Sequence, residues 1–485
     1  MAGSAISVHA GRADAGPMSF PYWVAGRPAT SDDLVEVRNP RDGALAGTTS
    51  NATAADVEAA VAAAHDVRHE VAQLPAYVRA DALDHVSRRL AERADEIADL
   101  IHAESGKPLK WARAEVGRGV STFRWAAEEA RRFSGELQRL DTDAASAGRL
   151  ALVRRAPRGP VLGITPFNFP LNLVAHKVAP AIAVGCPIVL KPAPATPLTA
   201  LVLGELLAET ALPAGSWSVL PMPNEAASEL VADPRLPVVS FTGSGPVGWS
   251  IQDRVPRKHV TLELGGNAAA IVCPDWTDLE FAAQRIATFG TYQGGQSCIS
   301  VQRVYAHRDV YAELADRVVA HVRKLDVDGE VGPLINEAAA VRVQSWVDDA
   351  VASGAELLAG GTRQGATVAP TVLAGASEDC AVNAEEIFGP VLSLAPVDSV
   401  EEAFERVNAS RFGLQAGVFT HDLRVAFEAS ARLEVGGVVV GDVPSYRADQ
   451  MPYGGVKESG TGREGVRAAM EDLTEQRVLV LTGVR

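Results

Sequence analysis

Cysteine is scarce in this chain, which has four in 485 residues, at Cys186, Cys273, Cys298 and Cys380, and no two form a C-x-x-C pair. So few thiols in so long a chain exclude a disulfide scaffold and indicate reduced cysteines, as in a cytosolic protein. Clusters of residues with metal-ligand spacing are missing as well, and we predict no metal site. The expected localisation is cytoplasmic.

Long apolar runs and a surplus of basic residues are also missing. The first residues contain no apolar core of signal-peptide length, and their Gly, Ala and Ser content predicts a loose arm over roughly the first twenty positions. The most apolar stretch, 171–190, contains His176 and Lys177, which argues against a membrane span. With 45 basic and 60 acidic residues the net charge is −15, so we expect no nucleic-acid or membrane partner.

The composition that is present belongs to a globular protein. Hydrophobic residues make up 47% and charged residues 22% of the chain, which excludes a disordered or fibrous class. The length allows about two to four domains of roughly 100–200 residues each. Composition alone leaves enzyme, binding module and structural protein open.

Periodicity predicts helices first and a parallel sheet afterwards. Between Thr53 and about Arg132 apolar residues recur at three- and four-residue steps, and Gly106 is a predicted helix stop. That apolar stripe comprises Leu83, Val86, Leu90, Ala94, Ile97 and Ile101. After Leu150 short β-rich runs alternate with segments of helical length, which predicts a doubly wound sheet that binds ligands beyond the carboxyl ends of its strands. These runs are 160–165, 187–191, 216–220 and 238–242.

Two regions extend this pattern towards the end of the chain. A second alternating region from about Glu263 to Pro444 is long enough for another α/β domain. The final run, 477–482, is a predicted strand without a neighbour in sequence. It pairs either at a distance within the chain or with another subunit.

A G-x-G-x-x-G pattern at Gly243, Gly245 and Gly248 directly follows the run 238–242. Glu263 lies 20 residues beyond Gly243, where a dinucleotide fingerprint has its ribose-binding acid. A plain tight turn explains the glycines equally well, because the pattern comes at the fourth predicted strand rather than the first. A bound phosphate fits this loop, since amides at a helix start attract anions.

Cys298 is the candidate nucleophile among the cysteines. It follows Gly294 and Gly295, where backbone can approach a ligand closely, and a helix starting after it would lower its pKa. A buried, inert thiol is the alternative for Cys298 and the favoured interpretation of the other three cysteines.

Seven blocks of the sequence together carry a resemblance to a known family. They are Pro166-Phe-Asn-Phe-Pro170, Lys191-Pro192, Phe241-Thr-Gly-Ser244, Glu263-Leu-Gly-Gly266, Gly295-Gln-Ser-Cys298, Glu386-Ile-Phe-Gly-Pro390 and Pro452-Tyr-Gly-Gly-Val-Lys457. With these blocks the chain closely resembles the NAD(P)-dependent aldehyde dehydrogenase superfamily. The blocks follow the family's order from about residue 20 to the end.

The resemblance implies an α/β fold in three parts. A doubly wound, Rossmann-type cofactor domain with the N-terminal helices spans 1–262, and an α/β catalytic domain spans 263–445. Residues 446–485 return to the cofactor domain and end in an oligomerisation strand. This strand and a bridging strand at 149–158 form a small β element between subunits of a homodimer or homotetramer. An intrachain edge strand is the alternative for the tail.

The resemblance also implies the chemistry. The thiolate of Cys298 attacks the aldehyde carbon, and the Asn168 amide with the Cys298 N–H stabilises the oxyanion of the thiohemiacetal. After hydride transfer, Glu263 activates the water that hydrolyses the thioester, so it is implied to be a base rather than a ribose ligand. Family members that transfer the acyl group to coenzyme A lack this glutamate, and Glu263 therefore favours hydrolysis to the free acid. A non-catalytic structural member of the fold and a cofactor-free esterase are the alternatives.

The implied cofactor is NAD or NADP. Lys191 is assigned to the adenosine ribose, Ser244 to the pyrophosphate, Glu386 to the nicotinamide ribose, and Phe388 to the nicotinamide. Lys177 is similar to the family's lysine beside the Asn168 helix. The implied cofactor residues are Pro166, Phe167, Lys191, Gly243, Ser244, Glu386 and Phe388. NAD-preferring members often carry a glutamate three residues after the lysine, whereas this chain has Pro194, which favours NADP.

The substrate implied is a small aldehyde whose identity the resemblance leaves open. Members that bind anionic substrates often place an arginine directly before the nucleophile, where this chain has Ser297. Arg118 is similar to an arginine of semialdehyde-type members, and Arg447 lies shortly before the block 452–457. A solvated surface role is the alternative for both arginines. The segment 167–177 looks most like lactaldehyde, glyceraldehyde and phosphonoacetaldehyde dehydrogenases, so a semialdehyde-, hydroxyaldehyde- or phosphoaldehyde-specific enzyme is an open alternative.

Overall fold

The computed structural model of the protein describes residues 18–483, and the predicted arm falls outside them up to residue 17. Helices and strands alternate through this range, and both are numbered in chain order. The helices are α1 (Ala54–Gln73), α2 (Ala76–Glu92), α3 (Ala94–Ser105), α4 (Leu109–Arg132), α5 (Asn172–Val184), α6 (Leu198–Ala208), α7 (Asn224–Val231), α8 (Gly245–Arg254), α9 (Leu279–Thr291), α10 (Arg308–Val322), α11 (Glu337–Ala352), α12 (Ala381–Ala384), α13 (Val400–Asn408), α14 (Leu423–Arg432) and α15 (Val466–Asp472).

The strands fall into several sheets. They are β1 (Tyr22–Val24), β2 (Arg27–Ala29), β3 (Leu34–Arg38), β4 (Leu45–Ser50), β5 (Glu136–Arg139), β6 (Arg149–Pro157), β7 (Val161–Ile164), β8 (Ile188–Lys191), β9 (Trp217–Val219), β10 (Val238–Thr242), β11 (His259–Glu263), β12 (Ala269–Val272), β13 (Arg303–His307), β14 (Glu356–Ala359), β15 (Arg363–Gln364), β16 (Thr367–Val368), β17 (Thr371–Ala374), β18 (Val391–Val397), β19 (Phe412–Gly413), β20 (Gln415–Phe419), β21 (Gly437–Val440), β22 (Val456–Lys457), β23 (Gly460–Thr461) and β24 (Thr474–Thr482).

The predicted helical region consists of α1 to α4. Thr53 caps α1 in a capping box with Asp56. The apolar stripe read from the sequence is shared by two helices, because the chain breaks at Arg93 between α2 and α3. The stop at Gly106 is confirmed, since this residue ends α3 with a φ of 70°.

The four β-rich runs form the centre of an eight-stranded sheet. They are β7, β8, β9 and β10, and the sheet order is β2-β1-β9-β8-β7-β10-β11-β23. The five strands from β9 to β11 run parallel, and β1 and β23 join them antiparallel. The chain winds outward from β7 in one direction and from β10 in the other. The order therefore reverses between β7 and β10, and a doubly wound sheet binds its ligand at this point.

A second sheet carries the C-terminal half of the fold. Its order is β14-β17-β18-β13-β12-β20-β21, and all neighbours run parallel except β14. Separate apolar clusters that include Ile286 and Phe404 contain alternate residues of its central strands. Together the two sheets confirm the predicted α/β class. The domain boundaries at residues 262 and 445 stay a prediction.

The third element is an antiparallel sheet in the order β24-β6-β5. Strand β24 pairs along its whole length with β6, from Thr474 opposite Pro157 to Thr482 opposite Arg149. The C-terminal strand therefore finds a distant partner within its own chain. Its outer edge has no partner strand among residues 18–483.

Several features bear on the excluded classes. The four cysteines are free. No helix within residues 18–483 is both long and apolar enough to cross a membrane. In the same range no group of three or more His, Cys, Asp or Glu side chains is arranged to hold a metal ion.

Glu104 connects the N-terminal helices to the first sheet. Its buried carboxylate, near the end of α3, accepts hydrogen bonds from the N–H groups of Leu198 (2.8 Å) and Thr199 (3.2 Å), and from the Thr199 hydroxyl. These N–H groups belong to the first turn of α6, where they have no partner within the helix. A distant carboxylate thus caps the helix that follows the segment of Lys191 and Pro194.

Replacing Glu104 by glutamine should lower the free energy of unfolding by about 1–3 kcal/mol, because an NH₂ group would then face backbone donors. Denaturant titration measures the change. The matched control is Glu96→Gln on the same helix, whose carboxylate pairs with Arg93 near the surface. We expect a loss below about 1 kcal/mol for the control. Equal losses in the two variants would show that the Glu104 carboxylate does not hold α6.

Candidate active site

A cavity of about 920 Å³ lies at the carboxyl ends of β7 and β10. This is the position that the strand order of the first sheet indicates. The residues around it include every predicted cofactor residue and the three predicted catalytic residues. They are Pro166, Phe167, Lys191, Gly243, Ser244, Glu386 and Phe388, with Asn168, Glu263 and Cys298. Arg118, Ser297 and Arg447 are not among the residues that line it.

The glycine motif forms the turn from β10 into α8. Ser244 is the N-cap residue of α8, and Gly245 begins the helix. A Cβ added at Gly248 would lie 2.4 Å from Leu264, so this glycine lets the helix approach the end of β11. The loop therefore combines a helix start, suited to an anion, with close helix–strand packing.

Lys191 ends β8 and faces the cavity. Its Nζ donates a hydrogen bond to the Asn224 side-chain oxygen at 2.6 Å. Burial lowers the pKa of Lys191 to about 8, against the opposing charge of Glu225. Asn224, Glu225 and Pro194 also line the cavity. Sequence reasoning missed Asn224 and Glu225, although their place at the start of α7, the helix that follows β9, puts them at the same sheet edge.

Glu386 and Phe388 reach the cavity from the segment that precedes β18. The Glu386 carboxylate accepts the Gly266 N–H at 3.1 Å, and burial raises its pKa to about 7. A Cβ at Gly265 would lie 2.2 Å from this carboxylate, so a larger residue there would displace the Glu386 side chain. Phe388 has a φ of 46°, and its ring meets that of Phe167 edge-on at 5.9 Å.

Cys298 lies in a turn shaped by the residues before it. Gln293, Gly294 and Gly295 all have positive φ, and a Cβ at Gly295 would lie 2.1 Å from the Gly389 oxygen. No helix starts after Cys298, because a turn follows it and the next regular element is β13. Without a helix start, loss of solvation raises the pKa of Cys298 to about 12, against a hydrogen bond with Tyr453.

Asn168 is held beside Cys298 by an anchor that the sequence did not indicate. Its Nδ2 donates to the Gln296 carbonyl at 2.9 Å and, having two hydrogens, keeps one available. Its own carbonyl accepts from Lys107 at 2.8 Å. Lys107 forms a buried ion pair with Glu115, and Glu115 accepts the Leu171 N–H at 2.9 Å. The ion pair thus holds the backbone carbonyl of Asn168 and the N–H of Leu171, three residues further along the chain.

Glu263 ends β11 and is 3% exposed. Neither of its carboxylate oxygens has a hydrogen-bond partner among the described residues. Burial and the negative charge of Glu464 raise its pKa above the ordinary value. Glu464 in turn accepts from Lys177 and from Arg447, each at 3.1 Å. An isolated carboxylate with a raised pKa has the properties of a general base.

The two candidate arginines differ in burial. The Arg447 side chain is 5% exposed, and its guanidinium lies 3.8 Å from the centre of the Tyr453 ring. The Tyr453 hydroxyl lies 3.0 Å from the Cys298 Sγ, so Arg447 is within two contacts of the thiol. The surface alternative is therefore wrong for Arg447. Arg118 is 29% exposed and donates twice to Asp449, at 3.0 and 3.1 Å.

Comparison with known proteins identifies the family of this chain. Residues 25–479 match the sequence model of the aldehyde dehydrogenase family. The chain belongs to the aldehyde dehydrogenase family. The predicted family is thereby confirmed, and the protein is an oxidoreductase that acts on the aldehyde group and uses NAD or NADP.

Several similar proteins span nearly the whole dehydrogenase. A 3-sulfolactaldehyde dehydrogenase of Priestia aryabhattai is 40% identical over 95% of this chain and 98% of its own length. A lactaldehyde dehydrogenase of Methanococcus aeolicus is 33% identical over 92% and 97%. Among solved structures, aldehyde dehydrogenase 21 from Physcomitrella patens, in complex with the reaction product succinate, has a TM-score of 0.95 at 45% identity and covers 97% of this chain and 99% of its own.

A further solved structure bears on the cofactor. It is the NADP-dependent glyceraldehyde-3-phosphate dehydrogenase from Bacillus halodurans complexed with NADP, with a TM-score of 0.92 at 34% identity over 96% of this chain and 99% of its own. In the present dehydrogenase the cavity fits a dinucleotide by volume and lining. Lys191 and the α8 start would hold phosphate groups, and Glu386 would hold a ribose; the bound nucleotide supplies the hydride acceptor.

Pro194→Glu should raise the Michaelis constant for NADP⁺ at least about tenfold and leave that for NAD⁺ unchanged or lower. The physical reason is that a carboxylate beside Lys191 repels a 2′-phosphate and accepts a hydrogen bond from a 2′-hydroxyl. Steady-state kinetics with both cofactors measures the effect. Pro194→Gln, which adds similar bulk without charge, is the control. If both variants behave alike, position 194 does not face the ribose.

Proposed function

We propose that this dehydrogenase oxidises a small aldehyde with an anionic group to the carboxylic acid through a thioester on Cys298. The observation that carries the proposal is the meeting of Cys298, Asn168 and the isolated carboxylate of Glu263 at one cavity of dinucleotide size. A nucleophile, an oxyanion donor and a base in contact with the hydride acceptor's cavity are what this reaction requires.

The first step forms a carbon–sulfur bond. The Cys298 thiolate attacks the carbonyl carbon, and the carbonyl oxygen becomes an oxyanion. The free hydrogen of the Asn168 amide and the Cys298 N–H are the donors for it, and loss of one such donor costs about 10²–10³ in rate. A nucleotide held by Lys191, the start of α8 and Glu386 would supply the hydride acceptor, and loss of hydride would leave the acyl group on Cys298 as a thioester.

The second step is hydrolysis of the thioester. Water attacks the thioester carbonyl, the Glu263 carboxylate takes the water proton, and the carbon–sulfur bond breaks to return the thiolate. The raised pKa of Glu263 strengthens it as a proton acceptor. Its two oxygens have no competing protein donor in the described part of the chain.

Glu263→Gln should give one burst of NAD(P)H, close to one equivalent per active site, followed by a steady rate lowered about 10²–10³-fold. The amide cannot accept the water proton, whereas thiolate attack and hydride transfer do not need it. Rapid-mixing absorbance at 340 nm measures both phases. Cys298→Ala is the control and should show neither burst nor turnover. An unchanged steady rate in Glu263→Gln would mean that another group activates water.

The anionic substrate class is supported by the two arginines. Arg447 is buried, and its Nε has no acceptor among the described residues. A buried cation of this kind binds carboxylate, sulfonate or phosphate groups with strong hydrogen bonds. The names of similar proteins agree in chemistry, since 3-sulfolactaldehyde and succinate are anions and aspartate semialdehyde carries a carboxylate group. Lactaldehyde, named for other relatives, is the neutral alternative.

Arg118→Gln should lower kcat/KM for succinic semialdehyde about 10–100-fold and leave kcat/KM for butanal within about twofold, because only the former carries a charge for Arg118 to bind. The two aldehydes have the same chain length, so their ratio isolates the charge. Arg124→Gln, on the exposed face of the same helix, is the matched control. Equal losses on both aldehydes would show that Arg118 is structural.

The assembly proposed is a homodimer or homotetramer. Val478, Leu479 and Val480 on β24 are all about half exposed or more, and the outer edge of this strand is open in the described chain. An open edge with apolar side chains favours pairing with another chain. A second subunit of the dehydrogenase is the proposed partner.

A further inference from the structure

Tyr453 contacts the reacting atom and has no role in the mechanism above. Its hydroxyl lies 3.0 Å from the Cys298 Sγ, and the residue is 5% exposed. The Sγ is the hydrogen-bond partner of this hydroxyl among the described residues. Ile299 and Leu414 pack against the same pair, while Cys298 is partly exposed and lines the cavity.

The position of the Tyr453 ring is fixed from two sides. Its backbone N–H donates to the Glu464 carbonyl at 2.9 Å, and the Glu464 N–H donates back at 2.7 Å. The Arg447 guanidinium covers one face of the ring at 3.8 Å. A cation on the ring draws electron density from the phenol, which strengthens its O–H as a donor. These contacts therefore fix the hydroxyl at hydrogen-bond distance from the sulfur.

The direction of the hydrogen bond follows from the charge of the sulfur. A thiolate has no proton and can only accept, so the Tyr453 hydroxyl must be the donor once Cys298 ionises. Hydrogen bonds to an ionised partner are about twice as strong as neutral ones. The contact therefore favours the thiolate over the thiol.

We propose that Tyr453 is a catalytic residue that donates a hydrogen bond to the Cys298 thiolate, both before attack and when the thioester releases the sulfur. The inference rests on the proposed role of Cys298 as nucleophile. Loss of solvation opposes ionisation of this thiol. The phenol replaces part of the hydrogen bonding that water would give to the thiolate. Phenylalanine at this position would preserve the packing and remove the donor.

Other charged and titratable groups act on the same thiol. The carboxylates of Glu263 and Glu386 oppose its ionisation, and the Arg447 guanidinium favours it. Tyr292 is a second buried phenol whose titration is affected by Cys298, and the structure gives it no hydrogen bond to Sγ. Tyr292 is thus the matched control for loss of a nearby hydroxyl.

The test is the pH dependence of Cys298 alkylation in the enzyme without cofactor or substrate. Iodoacetamide reacts with the thiolate, and mass analysis of the Cys298 peptide separates it from the partly exposed Cys380. In Tyr453→Phe the midpoint should rise by about one pH unit, so the rate at a fixed pH below it should fall about tenfold. Tyr292→Phe should leave the midpoint unchanged.

A graded variant distinguishes hydrogen bonding from packing. Replacing Tyr453 by 3-fluorotyrosine, whose hydroxyl is a stronger acid, should move the midpoint down, opposite to the phenylalanine change. Coincident midpoints for wild type and Tyr453→Phe would overturn the proposal. This readout does not depend on turnover. Failure of the nucleophile assignment shows itself separately, as dehydrogenase activity that survives in Cys298→Ala.

Discussion

The carboxylate of Glu464 is the constraint on which the reacting groups depend. It accepts hydrogen bonds from Lys177 and Arg447, and a third from Thr242 at the end of β10. Its backbone pairs with that of Tyr453 in both directions. One buried residue thus joins the first sheet, α5 and the segment that places a phenol beside the Cys298 sulfur. Burying an ionised carboxylate costs free energy. Glu464 can remain ionised because two cations and a hydroxyl donate hydrogen bonds to it.

The charges around Glu464 also affect the pKa of Glu263. Burial alone would raise the pKa of Glu464, but Lys177 and Arg447 lower it below its usual value. Glu263 lies close enough to interact with the same charges and has no hydrogen bonds of its own, so the negative charge of Glu464 and burial raise its pKa. Two carboxylates in one buried region therefore differ, since the pKa of Glu464 is lowered and that of Glu263 is raised.

Much of the fold was readable from local signals, and much of the site was not. The apolar runs at β7 to β10 are short, bounded and buried on both faces. Strands of this kind can be predicted from the sequence. Cys298, Asn168 and Glu263 came from their blocks and meet at one cavity. The anchor at Lys107 and the contact of Tyr453 with Cys298 could not be predicted, because they join residues 61 and 155 positions apart.

Two alternatives that the sequence left open are decided by the same physical cause. A charged residue in a loop is usually solvated, yet Glu464 and the Tyr453 ring stabilise Arg447 in the interior. A helix start after Cys298 would lower its pKa, yet the chain after it turns into β13 instead. The burial of Arg447 and the pKa of Cys298 both depend on long-range packing, which cannot be inferred from the residues next to them in sequence.

Arg447 interacts with several of the buried groups discussed above. Its guanidinium contacts the Tyr453 ring and the Glu464 carboxylate, and its charge favours ionisation of both Cys298 and Glu263. An anionic substrate drawn to the same guanidinium would reduce that influence as it binds, which would couple the substrate charge to the proposed nucleophile and base at one side chain. Loss of Arg447 would therefore disturb all three at once. Among residues 18–483 the Arg118 side chain donates to Asp449 and to no other acceptor, so a change at Arg118 would separate the substrate's contribution from the chemistry.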